Sequence, residues 1–150
     1  MPRINRAIEL LSQGQAIYYA GNIQAASPGG NQVSVTFDRP ATFVDLRITE
    51  YSGLRQTGAF DAGASASGTG TTASSGAVAT AAPGELLFAA GMTSTAFTAP
   101  GAGFTSELVT SPDGDIVEDA VATSAGNHGA TATLGDGTWL LQLAAFAPAG

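Results

Sequence analysis

Four carboxylates crowd the stretch Asp113-Gly114-Asp115-Ile116-Val117-Glu118-Asp119. Oxygen ligands this close together suit calcium, which takes about six to eight of them from a flexible loop. The spacing departs from the EF-hand pattern, and a turn with solvated carboxylates explains the same residues. Asp113, Asp115, Glu118 and Asp119 are thus the candidate metal ligands, calcium is the one ion suggested, and no cofactor motif accompanies them.

A second group lies earlier. Asp45, Arg47 and Thr49 share one face of an alternating segment, and Tyr51 continues that face. An Asp-Arg pair two residues apart on a strand reads as a solvent-facing ion pair worth little to stability. With Tyr18 or Tyr51 it could instead form a shallow glycan platform, because aromatic faces stack on sugar CH groups. Trp139 reads as core, given its neighbours Leu141 and Leu143. His128 is the only histidine; it sits in an Asn-His-Gly loop, and Asp136 is the nearest candidate to make it a base. No catalytic residue is assigned.

Composition narrows the classes. Of 150 residues only 11% are charged, and the net charge is −7. The five basic residues are arginines between Arg3 and Arg55, so the rest of the chain has no cation. A nucleic-acid partner needs a cationic footprint, and an anionic membrane surface fits equally badly. No apolar run reaches spanning length, so membrane insertion is not expected. Cysteine is absent, which excludes disulfides and thiolate zinc sites. Residues 1–14 have no long apolar stretch and no small-residue cleavage site, so they do not read as a signal peptide.

The elements that would position these residues are mostly strands. Ile4, Ala7, Ile8 and Leu11 fall at helical spacing, which predicts a short amphipathic helix over residues 4–13, stopped by Gly14. Residues 1–14 are therefore set apart as a leader and 15–150 as one β domain. Residues 15–23 read as a strand. From Asn31 to Gly53 two strands are expected, one burying Val33, Val35 and Phe37, the other Val44, Leu46 and Ile48, with Asp38-Arg39-Pro40 between them. Glu50 continues the second apolar face and is expected to emerge at the strand end.

The small-residue tract 61–84 predicts two thin strands joined by a Ser/Thr/Gly turn. Residues 85–94 form a strong strand with Leu86, Phe88, Ala90 and Met92 on one face. Ser111-Pro112-Asp113-Gly114 should turn a hairpin between strands 104–110 and 116–124. Gly135-Asp136-Gly137 should connect strands 130–134 and 138–147, the last buried on both faces. Nine or ten short strands predict an all-β fold: a two-layer antiparallel β-sandwich, jelly-roll-like, with the short N-terminal helix as accessory.

Two resemblances follow from these motifs. The segments 16–23, 31–38, 43–54, 61–76, 85–91 and 103–119, in that order, make the chain from Gln15 onward resemble a β-sandwich module of secreted and surface proteins of environmental bacteria. That resemblance implies architecture and an extracellular or cell-surface setting, and it carries no catalytic residues. Such modules usually begin some strands earlier. Residues 1–15 are instead similar to the opening helix of the aldolase/citrate-lyase-like family, whose metal-holding Glu and Asp and substrate-polarising Arg lie on barrel segments this sequence does not contain. A sandwich lacking strands exposes edge groups that another subunit can cover. The expectation is a structural, assembly or adhesion module that self-associates through a sheet edge or the N-terminal helix. The alternatives are a carbohydrate-binding module, or a hydrolase or lyase built on a carboxylate pair.

Overall fold

A computed structural model describes Ile8–Leu10 and residues 13–150. It is all-β, with no helix among the described residues. Two short strands, β1 (Ile8–Leu10) and β2 (Gln13–Gln15), pair antiparallel with Ile8 opposite Gln15. Where the predicted helix over 4–13 is described, the chain is therefore extended; residues 1–7 and 11–12 lie outside the described residues. Ten residues hold a helix only weakly without a partner for its apolar stripe.

The main sheet has six strands: β3 (Phe60–Thr80), β4 (Leu86–Thr93), β5 (Phe97–Pro100), β6 (Thr105–Val109), β7 (Ile116–Val121) and β8 (Gly126–Phe146). Their order is β3-β8-β4-β7-β6, with β5 pairing the first half of β8, and every pairing is antiparallel. The β6–β7 hairpin and β4 lie where the alternation places them.

Two expected turns are instead bends. Residues 60–80 form one strand of 21 residues, and so do residues 126–146. They pair along their lengths and kink together, where the register slips between Gly70 and Thr72 opposite Gly137 and Thr133. Gly70 has φ +123°, which only glycine adopts readily. The ribbon doubles back: Ala81 N–H donates to Asp61 Oδ2 at 3.0 Å, although twenty extended residues would span about 66 Å.

That fold encloses the core. Ala73, Val78, Ala132 and Leu134 from one half of the ribbon share a cluster with Trp139, Leu141 and Leu143 from the other, joined by Leu87, Ala89 and Ile116. Trp139 belongs to this core, and Gly68 makes room for it, since a Cβ there would lie 2.7 Å from the indole. The sheet's other face is covered too. Leu86, Ala144 and Phe146 pack under Ile17, Tyr19, Tyr51 and Leu54, so the end of β8 is buried on both faces. Complete burial of a Leu or Phe side chain stabilises by about 1.5–3 kcal/mol.

The covering layer departs most from expectation. Past Gln15, where β2 ends, residues 16–23 and 31–53 form no strand of three residues or more. Val33, Val35, Phe37, Val44, Leu46 and Ile48 are all exposed, between 48% and 58%. Arg47, Thr49 and Tyr51 are the residues turned toward the sheet. Glu50 is exposed with the apolar set that it continues.

Candidate functional site

The inversion has a cause at the end of the β4–β7 ladder. Gly91 and Ile116 face each other there, and their carbonyls have Arg47 as a donor. Arg47 Nη1 donates to Gly91 O at 2.9 Å and to Ile116 O at 3.0 Å. Nη2 donates to Gln15 Oε1 at 2.7 Å. Nε lies 3.3 Å from Asp45 Oδ2, and Nη2 lies 3.8 Å from Asp115 Oδ2. The Arg47 side chain is only 12% exposed. The planar guanidinium, with five donors in a fixed fork, can serve all these acceptors at once. The Asp45–Arg47 pair does form, but against the sheet rather than in solvent.

Gln15 extends the network. Its Nε2 donates to Ala90 O at 2.8 Å and to Gln142 Oε1 at 3.1 Å, and Gln142 Nε2 donates back to Gln15 O. Gln142 is the polar interruption among Leu140, Ala144 and Phe146 on β8, and a glutamine on a buried face needs a partner. That interruption was the available clue to Gln15, which the sequence marks only as the start of an expected strand and of the β domain.

Arg47 and Gln15 therefore hold the two ends of a long excursion. Between them, residues 21–46 are exposed throughout. The one turn bonded within that stretch has Gly30 N–H donating to Ser27 O. We call residues 21–46 the arm and the Arg47–Gln15 contact its clasp.

The candidate platform residues separate. Tyr51 Oη donates to Asp119 Oδ2 at 2.7 Å, and its ring packs edge-on to Phe88. Burial and the Asp119 carboxylate push the Tyr51 phenol well above its ordinary range. Tyr18 points the other way and is exposed, while Ile17 and Tyr19 pack on the sheet. Tyr51→Phe is expected to lower stability by about 1–2 kcal/mol, because Asp119 loses a half-buried donor. Urea denaturation of the two proteins at neutral pH measures the difference.

The four candidate metal ligands separate as well. Asp113 is exposed in the β6–β7 turn. Asp115 Oδ1 accepts from Thr93 N–H at 3.0 Å; burial raises its carboxyl, against the pull of that bond and of Arg47. Glu118 and Asp119 are neighbours on β7 and so point to opposite faces. Asp119 meets Tyr51, whereas Glu118 is fully buried with Oε2 accepting from Gly101 N–H at 2.9 Å. Glu118 Oε1 has no partner among the described residues. Burial lifts its carboxyl from 4.5 to about 7, with the Gly101 bond opposing. Among the described residues no group of three or more His, Cys, Asp or Glu is placed to hold a metal ion.

A second fully buried carboxylate, Glu85, escaped sequence reasoning. Glu85 Oε1 accepts from Ala81 N–H and Ala82 N–H, both at 2.9 Å, and so ties down the turn after β3. His128 Nε2 lies 2.9 Å from Ser124 O near the start of β8, with Asp136 eight residues farther along that strand. No helix among the described residues is long and apolar enough to cross a membrane.

Set against models of protein families, curated proteins and solved structures, the chain matches none of them.

Proposed function

We propose that this chain is a structural module of an extracellular or cell-surface assembly, with an assembly or adhesion role and no catalysis of its own. In this reading the bent six-stranded sheet is a β-sandwich of jelly-roll type, its two layers being the two halves of the folded ribbon. The module self-associates. The observation that carries the reading is the clasped arm, whose alternating apolar residues are exposed although their pattern is that of a half-buried strand. Large exposed apolar patches mark interaction surfaces in soluble proteins. The resemblance to modules of bacterial surface proteins and the scarcity of charge support the same reading.

Sedimentation velocity over a range of concentrations tests it. The expected result is a defined multiple of the 14.8 kDa chain mass. A species that stays at one chain mass up to roughly 100 μM, a concentration that weak complexes already reach, overturns it.

A further inference from the structure

We infer that residues 21–46 are an exchange arm: they leave their own subunit at the Arg47–Gln15 clasp and add as a strand to the free edge of β3 in a second copy of this chain. This inference rests on the assembly reading above and names the segment and the surface that reading requires.

Three properties of the arm point to a β-edge partner. Val33, Val35 and Phe37 alternate, as do Val44 and Leu46 with Ile48 just beyond the arm, and all are exposed and belong to no strand. Phe43 is 96% exposed and holds φ +59°. Positive φ is costly for a bulky residue, and at 96% exposure Phe43 has little packing to offset that cost. Together with Phe43 the five alternating residues within the arm leave roughly 700 Å² exposed, close to the share each partner brings to a standard stable interface. The arm holds only Asp38, Arg39 and Asp45 as charges, so it suits an apolar, uncharged surface.

The chain itself provides that surface. Among the described residues β3 pairs with β8 alone, leaving the other edge of a 21-residue strand open. Its side chains are mostly Gly, Ala, Ser and Thr, so an incoming strand can approach closely. Asp61, near one end of β3, is its only charge, and long open edges with so little charge are where sheets join. The other terminal strand, β6, has five residues and a register slip between Ser106 and Leu108, which blunts it. Beside the first half of β3 lies a cavity of about 110 Å³ lined by Ile17, Phe60, Gly63, Ser65 and Ala144. Buried Ser65 Oγ has no partner among the described residues. A cavity on this scale has room for one small side chain of the arm. A second copy therefore supplies what each copy exposes.

The test compares the wild-type chain with Val35→Asp/Leu46→Asp in the arm and Ser67→Lys on β3, by sedimentation velocity. All three substituted positions are exposed, and thermal melting confirms that the variants keep the fold. Each variant is expected to weaken association by about 100-fold or more, since each buries a charge in an apolar contact. If the wild-type chain associates and either variant associates equally well, the exchange arm is wrong while the assembly reading stands. If the wild-type chain is a monomer throughout, both fall.

Discussion

Arg47→Met should be the most damaging single change in the covering layer, lowering stability by about 3–5 kcal/mol. Methionine fills similar space, so the loss is electrical rather than volumetric. Asp115 would remain buried without its cation, and the carbonyls of Gly91 and Ile116 would lose a donor, as would Gln15 Oε1. Removing one member of a buried pair leaves the other with its full desolvation cost. For a chain of this length the melting temperature should fall by roughly 10 °C. Arg47→Lys should recover only part of the loss, because an ammonium cannot present the same fork. Adding Asp115→Asn to Arg47→Met should also recover part, since the orphaned charge is then gone. Denaturant curves of the four proteins measure these differences. An Arg47→Met variant within 1 kcal/mol of wild type, on the order of the worth of an exposed ion pair, would mean that the clasp is only a surface contact.

Glu118→Gln should change how stability depends on pH. The folded-state carboxyl of Glu118 is raised to about 7 from an ordinary 4.5, so between those values the folded chain binds more protons than the unfolded one. Stability therefore falls as pH rises through this window. The contribution is fully present below 4.5 and is gone above about 7. At 1.36 kcal/mol per pKa unit it amounts to about 3 kcal/mol. Wild type should lose about that much more than Glu118→Gln between pH 5 and pH 8, measured by urea denaturation. The glutamine keeps an acceptor for Gly101 N–H and does not ionise. Asp115 is raised too, which gives a slope of the same sign in both proteins and so cancels in the comparison. Identical pH dependence in the two would show that Glu118 titrates in the folded chain as it does in the unfolded one, as a solvated carboxyl would.

Period-two patterns made β4, the β6–β7 hairpin and the doubly buried end of β8 legible, because each is short and apolar on a definite face. The long strands were harder. Gly-rich tracts at 67–70 and 135–137 carry the composition of turns, and composition does not separate a reversal from a bend in a paired ribbon. What separates them is the partner strand, which kinks at the same level. The faces of residues 44–51 were visible, but not which face meets the sheet. Alternation says that two faces differ. It does not reveal that Gly91 O, Ile116 O and Asp115 need a cation more than the sheet needs Leu46 and Ile48.

The candidate site shows the same limit. Asp45 and Arg47 do pair, and Tyr51 does meet a carboxylate, Asp119, from the set read as calcium ligands. The two groups thus share one surface, each engaged with the other. Glu118 lies on the opposite face, a consequence of its odd-even position beside Asp119. Glu85 was invisible because its partners are backbone groups, and Gln15 had only the clue of Gln142, 127 residues away.

Hydrogen–deuterium exchange on the intact chain, at concentrations below and above its association midpoint, tests the central claim most directly. The amides of residues 31–37 and 43–46 should pass from unprotected to protected as copies join, with those along the open edge of β3 following in parallel. Rapid exchange of the arm at every concentration, beside an associated chain, would contradict it.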